Sequence, residues 1–172
     1  MATSLSGQIR NQISLTFDGG SEIGTTSDDV LGSANYFSWA VTDGTAANKA
    51  DLVFRDQRSL NASTSEDLDL AGGLTSAYGA AITFVKVKML YVKAKSTNGA
   101  NIVVGGAAAN QFINWVGDAT DKVVIPPSGC LMVAAPIDGW AVTANTGDIL
   151  KIENTDGAAA ATYDIIIVGT SA

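Results

Sequence analysis

Period-two alternation governs this chain and limits what it can fold into. Apolar and β-branched residues alternate with polar ones along most of the sequence, and Gly, Asn and Asp turn signals interrupt them about every ten residues. The pattern predicts half-buried strands, and no amphipathic helical period competes with it. The expected fold class is all-β: a jelly-roll-like antiparallel β-sandwich of about nine to eleven strands with an N-terminal arm.

Strands are expected at Gln12–Phe17, closed by Asp18-Gly19-Gly20, and at Tyr36–Thr42, closed by Asp43-Gly44. Asp51–Asp56 and Ser65–Leu70 alternate with one wet face each, Arg55 and Asp69 standing opposite in parity to Phe54 and Leu68. The Ala/Gly-rich stretch 71–81 reads as a loop or one short helical turn leading into a long strand from Ile82 to Lys95. Asn98-Gly99 is a two-residue hairpin signal. Lys122–Pro127 is a strand stopped by two prolines, Cys130–Pro136 follows, and "WAVTA" comes after Asp138-Gly139. Asp148–Asn154 and Thr162–Gly169, on either side of "TDGAAAA", read as a closing hairpin. Residues 1–45, richer in Ser, Thr and Gly, form an N-terminal arm or outer hairpin, and 46–172 the sandwich domain. Within the arm, Ser4 to Ser33 has the weakest core patterning and is the expected anchor to a larger assembly.

The stretch "VKVKMLYVKAK" gathers four of the seven lysines of a chain whose formal net charge is −7. Lys86 and Lys88 share one parity, Lys93 and Lys95 the other, and "MLYV" between them is apolar on both. A strand whose ends emerge on opposite sides of the sandwich, or one with a bulge near Met89 to Tyr91, fits this pattern. A nucleic-acid stripe needs its charges on one face. Lysines on two faces instead read as solvated strand ends that discourage edge-to-edge pairing; a local patch for an acidic partner protein is the other reading.

Seventeen acidic against ten basic residues and a pI near 4.3 oppose attraction to phosphate, so no nucleic-acid partner is expected. Charged residues are only 16% and the mean hydropathy is +0.21, which excludes a disordered polyelectrolyte. At 172 residues the chain suits one domain with a single core. The opening "MATSLSGQIRNQ" lacks a signal-peptide pattern, and the longest apolar run, "DIIIVG", is too short for a membrane helix. Synthesis in the cytosol, without a membrane partner, is the expectation.

Histidine is absent, which removes the commonest general base and transition-metal ligand. The single cysteine, Cys130, heads an apolar strand and is expected to be a small buried hydrophobe. Carboxylates pair in sequence at Asp28 and Asp29, at Asp67 and Asp69, and at Asp118 and Asp121; glycosidase chemistry would need such a pair opposed across a cleft. Glu66, Asp67 and Asp69 are the best calcium candidates, without the EF-hand spacing, and read more simply as a solvated strand face. The Gly pairs beginning at Gly19, Gly72 and Gly105 complete no phosphate-binding motif. Trp39 shares parity with Phe37 and is expected in the core, whereas Trp115 has polar flanks that suggest exposure. With Trp140 these could form a sugar-binding platform, though core or subunit contact is the favoured reading. The sequon Asn61-Ala62-Ser63 has meaning only in a secreted protein.

The run "ADLVFRDQRSLNASTSEDLDLAGGLTSAYGAAITFVKVKMLYVKA", followed by "NIVVGGAAANQFINWVGD", "VVIPPSGCLMVAAP" and "WAVTANTGDILKIENTDGAAAATYDIIIVG", resembles a group of small structural proteins encoded in tailed-bacteriophage virion gene clusters. The resemblance spans residues 50–170. It implies a virion component without enzymatic activity or cofactor, a head decoration or cement protein bound to the major capsid protein or another virion protein, often as a homotrimer. The residues are compatible with two other functions: a carbohydrate- or receptor-binding module of a tail or fibre, and a glycan-cleaving enzyme using an Asp/Glu pair.

Overall fold

In the computed structural model, which describes residues 4–11, 16–18, 28–30 and 37–172, the alternation becomes two facing antiparallel sheets. One contains β5 (Leu52–Leu60), β9 (Lys86–Ala94), β12 (Cys130–Ala134) and β15 (Ala161–Thr170), in the order β12-β9-β15-β5, with the short β13 (Trp140–Ala141) beside β9. The other contains β6 (Ser65–Asp69), β10 (Ile102–Gly105), β11 (Lys122–Ile125) and β14 (Ile149–Asn154), in the order β11-β10-β14-β6. The protein is an all-β antiparallel sandwich. Its eight main strands pair in a nested way: β5 with β15, β6 with β14, β9 with β12, and β10 with β11.

The core lies where the two inner faces meet. On β15, Ala161, Tyr163, Ile165 and Ile167 are fully buried against Phe54, Leu68, Leu90, Val92, Ile102, Val104 and Ile152 from both sheets. Each large aliphatic so buried contributes about 1.5–3 kcal/mol. The alternate residues of β15 form the outer face, where Ile166 and Val168 join a second, smaller cluster.

That second cluster is the seat of the N-terminal strands. β1 (Gly7–Asn11) pairs with β4 (Phe37–Val41), placing Ile9 opposite Trp39. Trp39 and Val41, with Leu5 and Ile9 packed beside them, cover Met89, Val168 and Ile166 on the outer face of the five-stranded sheet. Leu5 and Ile9 thus belong to a core cluster, although they lie in the stretch expected to be an anchor. Of the expected strand Gln12–Phe17, only Thr16 and Phe17 are described, in β2 (Thr16–Asp18), which pairs with β3 (Asp28–Val30).

β9 resolves the lysine pattern. Met89 pairs with Val168 and Val87 with Gly169, so Lys88 is one extra residue, a bulge. The insertion switches parity: Val87 before it and Leu90, Val92 and Ala94 after it all face the main core. It also returns the lysines to one face. Lys86 stands opposite Thr170 and Lys93 opposite Asp164, both on the outer side with Ile166 and Val168. The expectation of lysines on two faces is therefore corrected, because it counted parity across a residue that the ladder skips. Solvation also fails for Lys88, which is 1% exposed and donates to the carbonyls of Ala46, at 2.7 Å, and Lys49, at 2.9 Å.

Three local expectations change as well. Asn98-Gly99 does not turn a hairpin, because β9 and β10 lie in different sheets; the buried Asn98 side chain instead brackets Thr162, donating to its carbonyl and accepting from its N–H. β14 and β15 likewise cross between sheets rather than pairing, and the buried Asn154 amide donates to the carbonyls of Leu60, Asn61 and Ala159. The stretch 71–81 opens with one turn, the Gly73 N–H bonding the Asp69 carbonyl, but then forms a two-stranded hairpin, β7 (Leu74–Thr75) with β8 (Ala81–Ile82), and the long strand expected from Ile82 begins only at Lys86.

Gly169 sits opposite Val87 beside the bulge, where a Cβ would collide with the backbone carbonyl of Lys86 and the ring of Phe84. Backbone cannot yield as a flexible side chain can. Gly169→Ala is expected to cost about 3 kcal/mol or more in urea unfolding, and a loss under 1 kcal/mol would show that the bulge relaxes freely.

Candidate functional site

Charged residues reach inward on one side of the sandwich, where β5 and β6 are both edge strands. Glu66 shares parity with the buried Leu68 and Leu70, and Arg58 with Leu60, so alternation itself turns them toward the core. Arg58 Nε donates to Glu66 Oε2 at 2.7 Å and Nη1 to Asp56 Oδ2 at 2.9 Å, while the buried Tyr163 hydroxyl donates to Glu66 Oε1 at 2.7 Å. Both oxygens of Glu66 are engaged. Burial works against the Arg58 charge, but Glu66 outweighs it and raises its pKa; burial, then Glu66, pushes the Tyr163 phenol far up. The bonds of this cluster join β5 and β15 of one sheet to β6 of the other and so tie the two sheets together. Beside it opens a cleft of about 250 Å³ lined by Asp56, Arg58, Asp67, Asp69, Leu74 and Thr75 among others.

This cluster escaped the sequence reading, though a signal was present. Parity within "SEDLDL" groups Glu66 with Leu68 and Leu70, and an acidic residue on the apolar side of a strand calls for an internal partner.

The sequence-adjacent carboxylates do not gather. Asp67 and Asp69 lie on the opposite face of β6 from Glu66, so the three calcium candidates diverge; Asp69 Oδ1 accepts from the Ala71 N–H at 2.8 Å. Asp121 accepts from the N–H groups of Gly117 and Asp118, and Asp118 from the N–H and hydroxyl of Thr120. These bonds, the Thr120 N–H first, hold the Asp118 pKa below the usual carboxylate value. Both residues are loop caps. Asp28 and Asp29 lie on β3 opposite Asp18 and Phe17. Among the described residues no group of three or more His, Cys, Asp or Glu is placed to hold a metal ion, and no helix is long and apolar enough to cross a membrane.

The three tryptophans do not gather in one place, since Trp39 lies in the outer cluster and Trp115 and Trp140 against the main core. Trp39 is 3% exposed in the outer cluster, its indole N–H donating to the Asn48 carbonyl at 2.9 Å, as its parity predicted. Trp115 and Trp140 are half-buried against the main core, and the Trp115 indole donates to the Phe112 carbonyl at 3.0 Å. Trp115 is therefore less exposed than its polar flanks suggested.

The part of the outer face beyond Tyr91 and Ile166 is polar. Asp164 Oδ1 accepts from Gln57 Nε2 at 2.6 Å, and Oδ2 lies 3.1 Å from Lys95 Nζ. Lys93 is exposed between Asp164 on β15 and Cys130 on β12. Cys130 is exposed too, which corrects its reading as a buried hydrophobe: the register of edge strand β12 places it on the outer face, opposite Lys93 and away from the core. One thiol per native chain is therefore expected to react with a disulfide reagent such as Ellman's within minutes, without unfolding. A thiol that reacts only in denaturant would contradict this placement.

Asp164 supplies a pH test. The Gln57 hydrogen bond, opposed by partial burial and aided by Lys95 and Lys93, lowers its pKa. A carboxylate with a depressed folded pKa stabilises fully above its unfolded value, about 3.9, and loses that contribution as pH falls through the folded value. Asp164→Asn is expected to unfold more easily than the unsubstituted protein at pH 6, with the gap narrowing progressively as pH falls below about 3.9. A gap that does not narrow would assign the effect to packing.

Comparison of the chain with protein-family models, with curated proteins and with solved structures finds no match.

Proposed function

We propose that this protein is a non-enzymatic structural component of a tailed-bacteriophage virion, a decoration or cement protein that binds the head shell as a homo-oligomer, most simply a trimer. The observation that carries the reading is the nested pairing of the eight main strands. A chain folded as one long hairpin, β5 with β15 through β10 with β11, and then rolled into two sheets has the strand order of a jelly roll. That architecture recurs in viral capsid proteins, and also in lectins and cupins, so the segment-by-segment resemblance to phage virion proteins selects among them.

The disposition of the polar groups supports the same function. Glu66, Asp118, Asp121 and Asp164 accept internal hydrogen bonds, and Trp39 packs in a different cluster from Trp115 and Trp140. The edges of β5, β6, β11 and β12 offer main-chain groups to neighbouring subunits or a shell. With a net charge of −7 the protein has no long-range attraction for a packaged genome.

Quantitative mass spectrometry of purified particles made by the genome that encodes this chain tests the proposal. Hundreds of copies per particle are expected for a head-bound protein; absence from the particles would overturn the virion role.

A further inference from the structure

The outer face of the five-stranded sheet carries a cleft of about 770 Å³ over β5, β15 and β9. Register lays its floor in two rows. Arg55, Ile166 and Tyr91 stand side by side in one, and Gln57, Asp164 and Lys93 in the next. Ala77, from the turn between β7 and β8, borders it. The main chain of β15 is paired on both sides, so what the floor presents to a ligand is side chains.

The charges in this cleft are not balanced. Both of its carboxylates are already engaged: Asp164 by Gln57 and Lys95, and Asp56 by Arg58 and the Gln57 N–H. Arg55 and Lys93 are exposed and form no ion pair among the described residues. They stand two strand spacings apart, about 10 Å across the sheet, with half-buried Ile166 between them and half-buried Tyr91 alongside.

We infer that this cleft binds a saccharide that carries a carboxylate, such as a hexuronate or a sialic acid. The unmatched charge is positive, and a carboxylate satisfies it; the Arg55 guanidinium can take one in the bidentate manner. Tyr91 and Ile166 suit the C–H face of a pyranose ring, and Gln57 and Asp164 keep acceptor capacity for its hydroxyls. The volume falls in the range of small-ligand sites.

Other occupants fit less well. A nucleic acid or polyphosphate would bring closely spaced charges against Asp56 and Asp164, and a net charge of −7 repels it from afar. An extended peptide takes main-chain partners, which a sheet edge offers and this face does not. The inference goes beyond the virion role and does not depend on it. On a particle bearing many copies, weak single sites would add up to firm attachment to an acidic polysaccharide.

NMR titration of the full chain with trigalacturonate, with sialyllactose and, as the neutral comparison, with lactose tests it. At least one acidic saccharide should bind with a dissociation constant below about 1 mM, and lactose about tenfold or more weakly. The amide signals of Gln57, Tyr91, Lys93 and Asp164 should shift on binding. Arg55→Gln and Lys93→Gln should each weaken the acidic ligand about fivefold or more, with unchanged far-UV dichroism because both side chains are exposed. No binding of either acidic saccharide at about 10 mM would overturn the inference. So would equal binding of lactose, shifts confined to other residues, or full-strength binding by either variant. None of these results bears on the virion role, which the particle composition tests separately.

Discussion

The extra residue in β9 is the constraint on which the rest of the structure depends. Without Lys88 as a bulge, Val87 and Leu90 could not both face the main core, and one end of β9 would turn its apolar side to water. The bulge also sets the position of the N-terminal strands. The Lys88 ammonium reaches the carbonyls of Ala46 and Lys49, in the segment between β4 and β5, while Trp39 donates to Asn48 in the same segment. Burial, and then Lys86, lower the Lys88 pKa against the opposing pull of Asp138 and Asp51. A charge kept in so dry a place has its two carbonyl acceptors as compensation.

A two-sheet sandwich must also close where the chain crosses between sheets, and here buried amides do the closing. Asn98 satisfies both backbone groups of Thr162 beside the β9–β10 crossing. Asn154 gathers the carbonyls of Leu60, Asn61 and Ala159, and its side-chain Oδ1 accepts from the Asp156 N–H, uniting the β5–β6 and β14–β15 crossings. An unpaired buried carbonyl costs about 1–3 kcal/mol, so each amide removes several such penalties at once. The tie between Arg58, Glu66 and Tyr163 acts likewise at the edge formed by β5 and β6.

These internal ties leave a surface of uneven character. The polar part of the outer face is cross-braced by Asp164 with Gln57 and Lys95, and the outward side of β14 by Lys151 with Glu153. The β7–β8 hairpin, built on buried Leu74 and Ile82, borders that outer face through Ala77. A protein held together internally in this way can offer an open cleft to a ligand without losing its own fold.

Much was legible in the sequence because alternation is a local property. The all-β class, strands at Tyr36–Thr42, Asp51–Asp56 and Lys122–Pro127, of which the second is only the first part of β5, the wet side of Arg55 and the buried side of Trp39 all follow from which residues share parity. The lysines of "VKVKMLYVKAK" announced a parity switch for the same reason. Partner choice was not legible, because pairing joins residues as distant as Leu52 and Gly169, and a turn signal such as Asn98-Gly99 reads the same whether the chain folds back in one sheet or crosses to the other. Only the tertiary structure placed the bulge at Lys88, turned Cys130 outward on an edge strand and brought Glu66 to Arg58 and Tyr163. Parity says which side of a strand a residue occupies; what lies across from that side is settled by contacts between segments far apart in the chain.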